Sequence, residues 1–155
     1  MIEEIIKNIQ NPAIGSYLLW NTIQGYCGEI NSQQMPLYVS FFVLPFLINE
    51  RIYNKVTSTQ KSSSIYKLIH KLDSTEFTLL KDSITNYYSL TCASVGLGVR
   101  TGLMNYNKST ASITPNTCEI SISSELSKEG KQAQKLGKWF SEITLSQLVD
   151  IIERG

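Results

Sequence analysis

The stretch NPAIGSYLLWNTI, residues 11–23, decides the fold because it predicts one helix that is apolar on nearly every side. Asn11 is a favoured N-cap and Pro12 suits the first helical position, so we expect the helix to begin here. A helix without a polar face has no side to turn toward water. We therefore predict a central, buried helix that is ended by Gly25 and Gly28.

On either side of this helix lie two further apolar segments. Residues 2–9 carry isoleucines at helical spacing and predict a short opening helix. Residues 35–48 form the longest apolar run, at about 14 residues too short for a bilayer, which needs about 20. The aromatic and β-branched residues of this run favour a strand, whereas its length favours a helix. We interpret it as a helix kinked at Pro45.

The rest of the chain predicts more helices and one hairpin. An apolar stripe predicts a helix over 65–72, where Ser62-Ser63-Ser64 offers an N-cap. A second helix is predicted over a segment that is capped by Ser74 and carries a stripe at 80–91. Glycines from Gly96 onward break this helix, and 103–106 and 118–122 alternate as the strands of a hairpin. A helix follows over 124–143, and a capping box at 144–147 opens the last one. The prediction is an α+β fold, predominantly helical, with a small winged-helix-like β-hairpin.

Length and composition set the class of protein. The chain has 155 residues, of which 42% are hydrophobic and 17% charged, so we expect one ordered domain spanning 1–155. Its net charge of +1 provides no overall field that would recruit nucleic acid or a membrane. The acidic start of the chain does not resemble a signal peptide. We expect a cytoplasmic protein with reduced cysteines. Its low net charge is typical of a subunit of a larger complex.

No catalytic set emerges from the residue types that carry chemistry. His70 is the only histidine, and we expect it at the surface or a packing boundary. The three cysteines form no C-x-x-C pair; we expect Cys92 and Cys118 to be buried and Cys27 to be the most exposed. Walker A and G-x-G-x-x-G sequences are absent. The prediction is a protein that is not an enzyme and needs no cofactor or metal.

A nuclease-like metal site is one further interpretation of the sequence. Pro115-Asn116 followed by Glu129 and Lys131 imitates the Pro-Asp…Glu-x-Lys pattern, but an asparagine replaces the aspartate. Clustered carboxylates are needed to hold a hard cation. Since Glu129 and Lys131 point in diverging directions from one helix, we reject this interpretation.

The helix over 124–143 carries the most informative pattern. Lys128, Lys131, Lys135 and Lys138 are spaced by three, four and three residues, so they share one helical face, which we call the lysine face. The apolar residues of the opposite face are Leu126, Ala133, Leu136, Phe140 and Ile143. Gly130 and Gly137 allow a neighbouring element to pack closely. Two interpretations of the lysine face stay open: an ordinary solvated surface, or an electrostatic face for an acidic partner or a DNA backbone.

Four segments together resemble the small middle component of bacterial three-component ABC systems, the group that includes Lamassu-type anti-phage defence. The resemblance spans nearly the whole chain, and its motifs are these: Asn11-Pro12-Ala13 with Leu18-Leu19-Trp20 and Gly25-Tyr26; Pro36-Leu37 with Phe42-Val43-Leu44-Pro45; Gly102-Leu103-Met104; and Leu136-Gly137-Lys138-Trp139-Phe140. The chemistry of these motifs is that of a scaffold. The residues expected to be structural are Pro12, Trp20, Pro45, Leu136, Trp139 and Phe140.

The resemblance implies a non-catalytic adaptor subunit. Such a subunit would accompany an SMC-like ABC ATPase and a nuclease-like effector, in an assembly that responds to foreign DNA. We expect no membrane partner for this chain. Whether this subunit itself touches DNA within the complex stays open. The alternative is a free-standing winged-helix DNA-binding regulator. A recognition helix rich in Arg, Asn and Gln would be expected then, and the helix over 65–72 carries only Lys67, His70 and Lys71.

Overall fold

A computed structural model of the chain describes residues 11–28, 33–117 and 124–154. These residues form eight α-helices and a three-stranded antiparallel sheet with the order β1-β3-β2. The helices are α1 Pro12–Cys27, α2 Ser40–Ile48, α3 Glu50–Ser58, α4 Ile65–Lys71, α5 Ser74–Asn86, α6 Tyr88–Arg100, α7 Ser124–Ser141 and α8 Leu145–Arg154. The strands are β1 Met35–Pro36, β2 Met104–Asn107 and β3 Ser112–Pro115. The predicted α+β, predominantly helical fold is confirmed; the winged-helix-like arrangement stays a prediction.

The first helix, α1, is central, as the sequence predicts. Asn11 caps it by accepting a hydrogen bond from the backbone N–H of Ala13 at 2.9 Å. It packs most extensively against α7 and α6, and Leu19 and Ile23 on it are fully buried. The helix ends at Gly28, whose φ of 76° lies in the left-handed region that favours glycine. The expected end at Gly25 was wrong, because α1 continues through that residue.

Close packing of α1 against α7 explains why Gly25 lies inside the helix. A Cβ at Gly25 would lie 1.9 Å from the carbonyl oxygen of Gln134 on α7. A Cβ at Gly137 on α7 would lie 2.0 Å from the carbonyl oxygen of Thr22 on α1. Each helix thus presents a glycine to the backbone of the other, so the two backbones can touch. The predicted role of Gly137 in close packing is confirmed.

The apolar run at 35–48 contains three kinds of structure. It begins as β1, continues as a 3₁₀ turn over Leu37–Val39, and becomes α2 at Ser40. The helix prediction is therefore correct only for its second part. The helix ends at Ile48, with Asn49 as its C-cap, and Pro45 lies inside α2. The break is stabilised by the Asn49 side chain, which accepts backbone hydrogen bonds at the start of α3.

The stripe predicted over 80–91 belongs to two helices, α5 and α6, which meet at Tyr87. The cap of α5 is Asp73 and not Ser74, because Asp73 and Glu76 exchange side-chain-to-backbone hydrogen bonds in a capping box. Glycine does not break α6 at Gly96; the helix runs on to Arg100. The N-cap predicted from the three serines before α4 is confirmed, and Ser64 is the serine that supplies it.

The hairpin is shorter than the sequence pattern suggests. Its return strand is Ser112–Pro115, and β1 joins it as a third strand. The turn closes through Ala111, whose φ is 49°, and Ser112 Oγ donates a hydrogen bond to Gln34 Oε1 at 2.5 Å. The expected opening helix at 2–9 and the expected strand at 118–122 lie outside the described residues.

The last helix follows a confirmed capping box, in which Thr144 and Gln147 exchange two hydrogen bonds. On this helix Leu148 and Ile151 are buried, whereas Leu145 and Val149 are 45% and 38% exposed. No helix within 11–28, 33–117 and 124–154 is long and apolar enough to cross a membrane.

The exposure predicted for Cys27 and Cys92 was wrong, and each shows the reverse of what was expected. Cys27, at the end of α1, is buried, and burial raises the pKa of its thiol. Cys92 is exposed on α6. The local apolar pattern around Cys92 does not reveal that this side of α6 turns outward. Cys118 lies outside the described residues.

Candidate partner-binding face

The helix α7 packs its apolar side into the core. Leu136, Trp139 and Phe140 are at most 1% exposed, and the ring of Phe140 meets Phe46 edge-on with centroids 5.8 Å apart. Trp20 on α1 is also buried. These side chains fix the rotation of α7 about its axis, and that rotation decides which lysines reach solvent.

The other residues that were expected to be structural are Pro12, Pro45 and Trp20, and they lie in α1 and α2. Pro12 is the first residue of α1, where its missing N–H leaves no hydrogen bond unmade. Pro45 is buried within α2. The indole N–H of Trp20 donates to the carbonyl oxygen of Asn116 at 3.0 Å and so ties α1 to the segment after β3.

Lys135, in the middle of the lysine face, points into the protein. Its Nζ donates to the carbonyl oxygens of Val56 at 2.7 Å and Thr59 at 2.8 Å, where α3 ends. It also lies 5.4 Å from the centre of the Trp139 ring. Burial lowers the pKa of Lys135, and the nearby charge of Lys71 adds to this effect. A cation here suits the carbonyl-rich end of a helix.

Lys138 and Lys71 also donate hydrogen bonds to the end of α3 and the residues that follow it. Lys138 Nζ donates to the carbonyl oxygen of Lys61 at 3.3 Å and lies 3.6 Å from Glu142 Oε1. Lys71, on α4, donates to Thr59 Oγ1 at 2.9 Å and to the carbonyl oxygen of Ser58 at 3.3 Å. The sequence pattern did not assign Lys71 this role, because its acceptors are more than ten residues away along the chain.

Lys128 and Lys131 are the exposed part of the lysine face. Neither makes a hydrogen bond or an ion pair with the residues that the structure describes. Between them Glu129 turns inward, where its Oε1 accepts a hydrogen bond from the hydroxyl of Tyr53 at 3.0 Å. The predicted divergence of Glu129 and Lys131 is confirmed, since one is buried and the other exposed.

The residues that carry acid–base or metal chemistry do not gather at α7. His70 is exposed on α4, as the sequence predicts. No group of three or more His, Cys, Asp or Glu in 11–28, 33–117 and 124–154 is placed to hold a metal ion. What the geometry offers at α7 is a pair of exposed ammonium groups on a rigidly packed helix.

Residues 1–152 match the family described as ABC-three component (ABC-3C) system Middle Component 3. The chain belongs to this family. Curated proteins and solved structures return no match. The predicted middle component of a three-component ABC system is thus confirmed. In this middle component the exposed pair Lys128 and Lys131 lies within the matched region, as do all residues of the four motifs.

Proposed function

We propose that this middle component is a non-catalytic, cytoplasmic adaptor that bridges an SMC-like ABC ATPase and a nuclease-like effector. The complex would serve bacterial anti-phage defence of the Lamassu type and respond to foreign DNA. The observation that carries the proposal is the family match over residues 1–152, because a middle component belongs to a system with other components. A rigid helix with two exposed lysines is a suitable contact for one of them.

The docking part of the lysine face is Lys128 and Lys131. Their ammonium groups are exposed and have no partner among the described residues, so an acidic partner surface can meet them without breaking an internal contact. Lys135 and Lys138 support the face from behind by holding the end of α3 and the loop after it. A protein partner is favoured over DNA because the whole chain carries a net charge of only +1.

The alternative, a free-standing DNA-binding regulator, has less support. Its candidate recognition helix is α4, which offers Lys67, His70 and Lys71. The ammonium group of Lys71 is already bonded to the end of α3. One lysine and one histidine are then left for a DNA backbone, whereas specific binders make many phosphate contacts.

A co-purification experiment tests the adaptor. The tagged chain is co-expressed with the two other components of its system, and the Lys128→Gln/Lys131→Gln variant is compared with wild type. The matched control is Lys81→Gln/Lys108→Gln, which removes two exposed lysines elsewhere. We expect the first variant to lose one component and the control to keep both.

Raised salt should imitate the loss in wild type, because the screening length falls from about 10 Å at 0.1 M to about 3 Å at 1 M. A DNA shift assay with the same variants separates the two kinds of partner. Retention of both components by Lys128→Gln/Lys131→Gln would contradict the lysine-face contact. Turnover of ATP or DNA that follows the purified chain alone, with divalent metal present, would contradict the non-catalytic role.

A further inference from the structure

The helix α6 turns its apolar side outward and its polar side inward. Thr91 and Ser94 are fully buried, whereas Tyr88 is 58% exposed and Val99 is 38% exposed. Cys92, between these two, is also exposed. A surface helix normally turns its apolar stripe to the core and its polar stripe to water. The outward stripe of α6, which we call the α6 face, is therefore an exposed apolar surface of the kind that marks a binding site.

The α6 face is uncharged along its whole length. The sequence holds no Asp, Glu, Lys or Arg between Tyr88 and Val99. A charged group that is buried against such a surface loses its water and gains no partner in return. The matching surface of the occupant is therefore also uncharged and apolar. The same face on another copy of this chain meets that condition, and a net charge of +1 gives two copies little reason to repel each other.

One free cation borders the α6 face at its C-terminal end. A Cβ at Gly96 would lie 3.2 Å from Nη1 of Arg100, so the Arg100 guanidinium lies back along the helix beside Gly96. Arg100 is exposed, and it makes no hydrogen bond or ion pair with residues 11–28, 33–117 or 124–154. A guanidinium group is attracted to the face of an aromatic ring. The α6 face thus offers a cation that has no aromatic partner of its own.

The other end of the α6 face offers an aromatic ring. Tyr88 stacks on Phe41 of α2, with ring centroids 4.9 Å apart and planes inclined by 16°. Phe41 covers one side of the Tyr88 ring, and the exposure of Tyr88 leaves the other side open. The guanidinium beside Gly96 does not reach this ring in the same chain, because Tyr88 and Gly96 are about 12 Å apart along the helix axis.

We propose that the α6 face binds the α6 face of a second copy of this chain, with the two helices antiparallel about a two-fold axis at Cys92. Tyr88 and Gly96 each lie one helical turn from Cys92, on opposite sides of it. Tyr88 of one copy then stands level with Gly96 of the other, and the guanidinium beside Gly96 reaches the open side of the ring. Two-fold symmetry repeats this contact at the other end and closes the assembly.

The middle of the α6 face suits a close approach of two helices, because Cys92, Ala93 and Gly96 have small side chains or none. An interface made mainly by one helix from each copy is at the small end of specific interfaces, so the dimer is reversible and depends on concentration. The inference goes beyond the proposed adaptor function and does not rest on it. Its test therefore uses the chain without the other components.

Sedimentation equilibrium of the full chain over a series of concentrations measures the dimer. The test variant is Cys92→Glu, which places two like charges opposite each other at the axis. The matched control is Asn54→Glu, which adds the same charge at an exposed position of α3. Thermal unfolding checks that both variants fold. If Cys92→Glu melts below wild type, Arg100→Gln at an exposed position replaces it, and we expect it to weaken the dimer about tenfold.

A short bis-maleimide cross-linker tests the position of the axis. The background is Cys118→Ser, which leaves Cys92 as the exposed thiol of the described residues, since Cys27 is buried. We expect a covalent dimer in this background and none when Cys92→Ser is added. A dimer in solution that the linker does not join through Cys92 would overturn the antiparallel arrangement.

We expect the mass of wild type to rise with concentration toward twice the 17.4 kDa of one chain. Cys92→Glu should weaken the dimer at least about tenfold, and Asn54→Glu should behave like wild type. A wild type that stays monomeric, or a dimer that Cys92→Glu leaves intact, would overturn the proposal and leave the adaptor standing. If wild type is monomeric and Cys92→Glu loses a component in co-purification, the α6 face belongs to that component, and the proposal is also overturned.

Discussion

The two halves of α7 carry the same lysine spacing but have different surroundings. In the C-terminal half, Lys135 and Lys138 donate hydrogen bonds to backbone carbonyls at the end of α3 and in the loop that follows it. In the N-terminal half, Lys128 and Lys131 are exposed. The difference arises because α3 ends beside one half only. Helical spacing puts side chains on a common face, but the neighbouring element decides what that face does.

The largest expected effect is at the buried side of the C-terminal half. Phe140→Ala should lower the free energy of unfolding by about 3–5 kcal/mol, because it removes a fully enclosed ring and leaves a cavity beside Phe46. Urea unfolding measures the change. Leu145→Ala, at a residue that is 45% exposed, is the control and should shift stability by no more than about 0.5 kcal/mol. An unchanged midpoint for Phe140→Ala would mean that this half is not anchored in the core.

The next effect is on the glycine contact that brings α7 close to α1. Gly137→Ala should destabilise the protein by about 3 kcal/mol, because its Cβ would meet the carbonyl oxygen of Thr22 at 2.0 Å and backbone cannot move aside easily. Gly96→Ala is the matched control inside α6, where only the flexible end of Arg100 is near. There alanine should stabilise the helix by up to about 1 kcal/mol. Equal effects of the two changes would argue against backbone contact between α1 and α7.

The comparison between the two halves is tested directly by two lysine substitutions. Lys135→Met should cost about 1–3 kcal/mol, because the carbonyls of Val56 and Thr59 lose their donor. Lys131→Met should stay within about 0.5 kcal/mol, since its side chain is exposed. Chemical denaturation of both variants gives the two values. The contrast between the halves of α7 fails if both substitutions cost the same.

The smallest effect concerns Tyr53, whose hydroxyl donates a hydrogen bond to the buried Glu129 in the N-terminal half of α7. Burial raises the pKa of Tyr53, and the negative charge of Glu129 raises it further. Above about pH 10 the unfolded chain loses the Tyr53 proton while the folded chain keeps it, so stability falls as pH rises. Tyr53→Phe should make this alkaline fall shallower, by at most about 1.4 kcal/mol per pH unit.

Urea unfolding at a series of pH values from about pH 9 to pH 11 tests this expectation. Tyr106→Phe is the control, because that tyrosine is 39% exposed on β2. Identical slopes for wild type and Tyr53→Phe would show that the Tyr53 proton is not held by folding. Tyr17 and Tyr26, whose pKa values are also raised by burial, should leave part of the slope in the variant.

The sequence predicted one of the two candidate surfaces and gave no sign of the other. The lysine spacing identified the face of α7, but it did not separate the exposed Lys128 and Lys131 from the bonded Lys135. The α6 face had no local signal, because an apolar stripe in the sequence does not record whether that side of the helix packs inward. Family membership, by contrast, followed from motifs spread along the chain.

Local features of the sequence determined where several helices begin. Asn11, Ser64 and the pair Thr144 and Gln147 are caps whose hydrogen bonds reach only two or three residues along the chain, so their residue types suffice to find them. The tertiary structure alone decided that Gly25 lies inside a helix and that Lys135 faces inward. Lys135 meets Val56 from 79 residues away. Such partners are set by the packing of whole helices, which no local pattern records.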